Sequence, residues 1–424
     1  MNPKRRAAAW STRIPGGRDG RSMLWIALVD RIGSGLWASV SVLYFTYVTG
    51  LSAAQVGTLA AVSGAIGIAG APLGGRIADR LPLTRVLIAL QLLRALASFA
   101  LLTTDNYALL LAFSAVGSLG DRAANVLTKL YATRVSGPDR VRYQAVNRTV
   151  ANAGWAVGGL AAAAALGLGT TTAYQALLAG DALSFLGAAL LTVRCGEPPS
   201  PTRTVATSKD PLPTTKPANP WRDRTYLAYV ATETALCLHD AVFKVGLPLW
   251  IVHGSNAPHG LAPLLLVLNN VLVVALQVPL ARFGATTTAA RALLLPLAAF
   301  FAMGGVAMAL SSVGGTHIAT GCLTAAAVSF TMAEMLYATV SWELSVALAP
   351  ATAQGAYLGV HGLAQSVQRS VGPLAVTAAI ATGPAGWTVF GATIAVTCLI
   401  QHRLVRDRLA RPSLSVPPVT VSEH

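Results

Sequence analysis

Fourteen Asp, Glu, Lys and Arg side chains interrupt stretches of this chain that are otherwise apolar, and these residues have the chemistry to act. The first half holds Asp30, Arg31, Arg94, Asp121, Arg122, Lys129, Arg148 and Asp181. The second holds Glu233, Asp240, Lys244, Glu334, Glu343 and Arg369. An ionisable group in hydrocarbon costs on the order of 3 kcal/mol on insertion scales, so each needs a partner or a wet cavity. A carboxylate fixed to a guanidinium merely ties helices together. A carboxylate whose partner moves can bind and release a proton. Counted inward at ~1.5 Å per residue, Asp30 and Arg94 lie at a similar depth of about 12–15 Å, and Arg122 and Arg148 fall in the same half. This level predicts a polar network. Asp30, Arg94 and Arg122 are the residues expected to handle a coupling proton, with static ion pairing as the competing role.

The two halves differ in charge. The groups inside the apolar stretches sum to +2 in the first half and −2 in the second. Acids in excess of local cations predict a site for a positive group, so Glu334 and Asp240 are expected to select a cationic or zwitterionic ligand. Lys244 lies one turn from Asp240 and competes for it. Trp37 follows Asp30 by seven residues on the same helical face and is expected to touch the ligand. His239 and His361 have the chemistry to titrate near neutrality. Isolated histidines on helices are more often structural.

Twelve hydrophobic stretches must position these groups: Met23–Thr49, Ala53–Ala78, Thr84–Thr103, Tyr107–Thr133, Val141–Gly167, Thr171–Val193, Tyr226–His253, Ala262–Ala281, Ala289–Ser311, His317–Ala349, Gln354–Ala381 and Gly386–Leu404. Each is long enough to cross a bilayer, because about 20 apolar residues span the ~30 Å hydrocarbon core. The loop arginines and lysines fall on alternate connections. They include Lys4 to Arg21, Arg76, Arg80 and Arg85, Arg134 to Arg142, Arg194 to Arg224, Arg282 and Arg291, and Arg403 to Arg411. The positive-inside rule then predicts cytoplasmic termini and a multi-pass protein of the cell (inner or plasma) membrane. The fold class expected is all-α integral membrane.

At 54% hydrophobic and 11% charged, the chain is excluded from the ordinary soluble class. A net charge of +15 would suggest nucleic acid in a soluble protein. Here 24 of the 31 basic residues lie in the segments expected to be cytoplasmic, so they report topology and contact with anionic lipid, and no nucleic-acid partner is expected. Four cysteines are scattered singly without metal spacing, and no G-x-x-x-x-G-K-[ST] phosphate loop is present. No metal, cofactor or enzymatic activity is expected.

Residues 195–224 are rich in Pro, Thr and charge and read as a solvated cytoplasmic linker. The expected organisation is a cytoplasmic tail at 1–22, a six-helix bundle at 23–194, the linker, a second six-helix bundle at 225–404 and a cytoplasmic tail at 405–424. Val48-Thr49-Gly50 and Val252-His253-Gly254 echo each other at an offset of 204 residues, as parallel repeats would.

Between the second and third stretches the chain reads GRIADRLPLTR from Gly75 to Arg85. This resembles the loop signature of the major facilitator superfamily. Gly75, Asp79 and Arg80 match it; Pro82 replaces its second glycine, and Arg85 alone remains of its basic cluster. The resemblance implies twelve helices in two six-helix pseudo-repeats, usually as a monomer. It also implies that Asp79, with Gly75, Arg80 and Arg85, forms a conformational switch against a helix end in the other half. In the family, helices 1, 4, 7 and 10 line the central cavity, which places Asp30, Arg122, Asp240 and Glu334 there. GWAVGG at Gly154 to Gly159 lacks the proline of the family's antiporter motif, and Gly372-Pro373 predicts a kink. The function implied is secondary active transport of a small molecule, with proton-coupled export of a drug-like or metabolite compound as the leading expectation. A proton-coupled uptake symporter or facilitator is the alternative, and a membrane-embedded enzyme or receptor a distant one.

Overall fold

A computed structural model describes residues 14–166, 170–199, 218–258 and 260–410. The tail before Ile14, most of the linker and the segment after Ala410 lie outside the described residues. All regular structure within them is helical. The first bundle comprises α1 (Gly17–Leu43, prolonged by a π turn Tyr44–Val48), α2 (Ala53–Ile68 and Gly70–Arg80), α3 (Leu83–Leu101), α4 (Tyr107–Ser136), α5 (Arg140–Leu166) and α6 (Thr171–Val193). The second comprises α7 (Arg224–Leu236 to Leu247–His253), α8 (Leu261–Ala281), α9 (Thr287–Ala292 and Leu294–Leu310), α10 (Thr316–Ala347), α11 (Gln354–Ala381) and α12 (Pro384–Ala410). The ends that differ most from the apolar runs are those of α1, which begins at Gly17, ahead of Met23, and of α12, which continues past Leu404. Hydrogen bonding carries a helix beyond its apolar part into polar surroundings.

Several breaks lie beside a proline, which has no N–H for the carbonyl four residues before it. Pro72 follows the break at Ala69, and Pro296 follows that at Leu293. Pro248 cannot donate to the Lys244 carbonyl, and α7 passes there through a π turn (Val242–Gly246), preceded by a separate 3₁₀ turn (Cys237–His239).

Among the described residues, nine helices are long and apolar enough to cross a membrane by length and composition. The other long helices are α4, α5 and α11, and they carry Arg122, Lys129, Arg148 and Arg369. Polar residues lower their hydropathy, as expected of helices that face an internal cavity.

Helix pairing repeats between the halves. In the first, α1 packs on α5 and α6, α3 on α4 and α6, and α2 on α4. In the second, α7 packs on α11 and α12, α9 on α10 and α12, and α8 on α10. The contacts between bundles obey the same two-fold relation: α2 crosses α11, and α5 crosses α8. Close approach rests on small residues, since lipid gives helices no hydrophobic drive to associate. At the α2–α11 crossing a Cβ on Gly75 would meet the backbone of Gly355.

Where α7 begins, Asp223 caps it by accepting from Tyr226 N at 3.0 Å and receives both arms of Arg408 at 2.8 Å. Burial alone pushes the Asp223 carboxyl up, but Arg408, the Tyr226 N–H and the Tyr357 hydroxyl together hold it below the usual carboxylate range. A carboxyl lowered on folding stabilises the protein above its unfolded pKa of ~3.9 and loses that contribution as pH falls through its folded value. Asp223→Asn should therefore lower the melting temperature at neutral pH and leave it nearly unchanged in strong acid. An equal drop at both would show that Asp223 acts through something other than its charge.

Candidate functional site

The basic end of the molecule, which carries Arg76, Arg80 and Arg85, is latched between the bundles. Asp79 at the end of α2 accepts from Gly355 N at 2.9 Å and Ala356 N at 2.8 Å, so it caps the first turn of α11 across the bundle boundary. The exposed N–H groups and dipole of that terminus favour the charge. Arg134 stands 3.9 Å from the same carboxylate. Arg80 and Arg85 are exposed on the basic end. Deeper in, Arg140 makes a two-armed pair with Glu343, each arm 2.7 Å, and Arg148 pairs with Glu334. Lys129 donates to Ser345 Oγ at 2.7 Å and lies 4.9 Å over the Trp342 ring.

Each bundle also encloses a polar cluster of its own. In the first, Arg94 bonds Asp30 at 2.7 Å, Gln91 at 2.8 Å and Asp121 at 3.1 Å, and sits over the Phe185 ring at 3.9 Å. The expected network of Asp30 with Arg94 is present, in the form of a buried ion pair. In the second, Glu233 is fully buried and accepts from Ser341 and Gln401 at 2.7 Å and Tyr337 at 2.9 Å, with His361 Nε2 3.4 Å away.

Two cavities lie between these clusters. A central one of about 240 Å³ is lined from both bundles, and its walls hold five cations: Arg31, Arg122, Lys129, Arg148 and Arg369. No Asp or Glu lines it. A larger one of about 540 Å³ shares Arg31, Arg122 and Arg369, adds Arg94 and Lys244, and contains Asp121 and Asp181. Trp37, Phe45, Phe113, Trp155 and Phe185 give it an aromatic wall. Arg31 is engaged by Asn125 at 2.6 Å and Arg148 by Glu334. Arg122 and Arg369, one from each bundle, have no ion pair among the described residues, and Arg122 Nε is buried without a hydrogen-bond partner. The two guanidiniums are close enough to repel each other, and Asp121 lies within electrostatic reach of both.

The structure thus brings Arg94, Arg122 and Trp37 to a cavity wall and leaves Asp30, Asp240 and Glu334 off both walls. The expectation that the second-half acids lack matching cations is corrected here. Asp240 is bonded to Lys244 at 2.7 Å, while Glu334 holds Arg148 of the other bundle and Asn269 at 2.8 Å. Sequence reasoning did not single out Arg369, Lys129 and Arg31. Each was visible as a charge in an apolar stretch, but summing charge by halves hid which ones faced inward.

Glu334→Gln is therefore expected to loosen the interbundle contact. Loss of a charged hydrogen bond of about 1.5–3 kcal/mol should shift the equilibrium at least about tenfold toward an open basic end. Spin labels on exposed Asp139 and Arg282, on opposite bundles, should report a longer distance; an unchanged distance distribution would rule this out.

A sequence profile of the Major Facilitator Superfamily matches residues 23–373. Comparison with curated protein sequences returned no match. Solved structures similar in fold include a bacterial homologue of the iron transporter ferroportin in its outward-facing state, with 14% identity, 93% of this chain and 100% of that chain covered, and a TM-score of 0.67. The human organic anion transporter MFSD10 aligns at 14% identity over 93% of this chain and 100% of its own, with a TM-score of 0.63. The proton:xylose symporter XylE aligns at 14% identity over 91% and 96%, with a TM-score of 0.68. At such identities the likeness is one of fold.

Proposed function

The chain belongs to the major facilitator superfamily and is a transporter of a small solute, and we propose that this solute is an organic anion with an apolar or aromatic body, moved together with a proton. The observation that supports this reading is the Arg122–Arg369 couple, one guanidinium from each bundle and neither in an ion pair among the described residues, shared between a central cavity without carboxylates and a larger one that also holds Asp121 and Asp181. An anion placed between them relieves their repulsion and supplies the acceptors both lack. It also contacts both bundles at once, as alternating access around a fixed site requires. The aromatic wall of the larger cavity suits the apolar body.

Proton-coupled export was the leading expectation from the family resemblance; antiport of this kind needs a ligand whose binding opposes that of the proton. An anion on guanidiniums does the reverse, because a proton bound nearby strengthens its binding, and by reciprocity the anion strengthens the proton's. Co-binding supports symport, with direction set by the two gradients. With the basic end taken as cytoplasmic in the cell membrane, the latched bundles correspond to the outward-facing arrangement.

The test uses three probes of similar size and fixed charge character: benzenesulfonate, benzenesulfonamide and benzyltrimethylammonium. Heat stabilisation of the purified full-length protein in detergent should follow anion over neutral amide, with none from the cation. Preferential stabilisation by benzyltrimethylammonium would refute the anion reading.

A further inference from the structure

The three carboxylates around Arg94 in the first bundle are not equivalent. Arg94 bonds Asp30 and Asp121 and donates a further bond to Gln91. Asp181 of α6 is 2% exposed and makes no bond to any cation among the described residues. Ser98 Oγ of α3 donates to its Oδ2 at 3.0 Å, and its Oδ1 is buried with no hydrogen-bond partner. That bare oxygen faces Gly33 of α1, a position without a side chain. The charged groups around it are Asp30 from α1, Arg94 from α3 and Asp121 from α4. Asp30 lies on Arg94 with Arg31 4.0 Å away, and Asp121 lies on Arg94 with Arg31, Arg122 and Arg369 nearby, whereas no cation bonds Asp181, and a buried anionic oxygen without a donor is costly to keep charged. A proton on Asp181 removes that charge and leaves the Asp30–Arg94–Asp121 arrangement untouched. Asp181 also borders the larger cavity, which gives protons a route to it.

We propose that Asp181 is the carboxylate that binds and releases the transported proton, while Asp30 and Asp121 stay ionised on Arg94. The proton site stands on the geometry of the first bundle; its coupling to an anion rests on the symport reading above. Protonation of Asp181 removes a negative charge from the wall that also carries Arg94, Arg122 and Arg369, so the anion binds more tightly to the protonated form.

The experiment is infrared difference spectroscopy of the full-length protein in liposomes on stepping the pH, which reads the carbonyl band of a buried carboxylic acid and needs no ligand. Wild type should show such a band growing on acidification. Asp181→Asn should lose it, Asp181→Glu should keep it at a shifted frequency, and Asp30→Asn should keep it unshifted. The glutamate variant guards against loss of the band through misfolding. A band that survives in Asp181→Asn, or vanishes only in Asp30→Asn, overturns the assignment. Benzenesulfonate, which does not titrate, provides the coupling arm. Its affinity for wild type should rise about fivefold or more from about pH 8 to about pH 6, and that for Asp181→Asn should stay flat. Absence of benzenesulfonate binding to wild type counts against the anion reading, whereas the band result decides the proton site.

Discussion

Arg122→Gln and Arg369→Gln are each expected to weaken benzenesulfonate binding by about 10–100-fold, the equivalent of losing a charged hydrogen bond of about 1.5–3 kcal/mol. Benzenesulfonamide binding should hardly change. The two substitutions should not add, because the anion is held between the guanidiniums and either loss breaks the clamp. The same variants should raise the melting temperature of the ligand-free protein, since each removes an unpaired charge that repels its counterpart. Opposite signs for affinity and stability separate a ligand clamp from a structural arginine. Calorimetric binding and thermal melts of the purified variants check both. Loss of stability together with unchanged affinity would assign these arginines to the scaffold.

Asp79→Asn should act on the conformational equilibrium and leave the ligand site alone. The carboxylate accepts two backbone N–H bonds from the start of α11, and an asparagine keeps one acceptor without the charge. The loss should shift the equilibrium toward an open basic end by roughly tenfold or more, at about 1.5–3 kcal/mol for a charged hydrogen bond. Spin labels at Asp139 and Arg282 should show the longer distance gaining population, transport should slow, and benzenesulfonate affinity should fall by less than about the fivefold that marks real coupling between sites. Loss of binding without a change in the distance distribution would contradict the latch.

Much of this architecture is legible in the sequence alone. The length of the apolar runs set the helices, and the loop signature pointed to the α2 end, where Asp79 meets α11. The breaks in α2, α7 and α9 were marked by Pro72, Pro248 and Pro296, although apolar periodicity alone reads straight through them. The partner of Gly75 was not legible, because Gly355 looks like any other helix glycine until the crossing brings it into register. There is a physical reason why the proposed site has the opposite sign to the one expected from the sequence. Of the second-half acids, Glu233 is satisfied inside its own bundle, Asp240 lies on Lys244, and Glu334 and Glu343 reach across to Arg148 and Arg140. Net charge per bundle counts all of them. A ligand meets only what faces the cavity, and that is Arg122, Arg369 and their neighbours. Asp181 stood in the sequence as one acid among several. Its significance depends on which carboxylates Arg94 reaches, and that is set by the packing of α1, α3, α4 and α6.

The central claim is coupled movement of an anion with a proton, and accumulation in proteoliposomes tests it most directly. Purified protein is reconstituted, the outside is made acidic, and labelled benzenesulfonate or benzyltrimethylammonium is supplied. Benzenesulfonate should accumulate above its external concentration, the accumulation should collapse when a protonophore dissipates the gradient, and benzyltrimethylammonium should stay out. Gradient-driven movement of benzyltrimethylammonium with none of benzenesulfonate would contradict it.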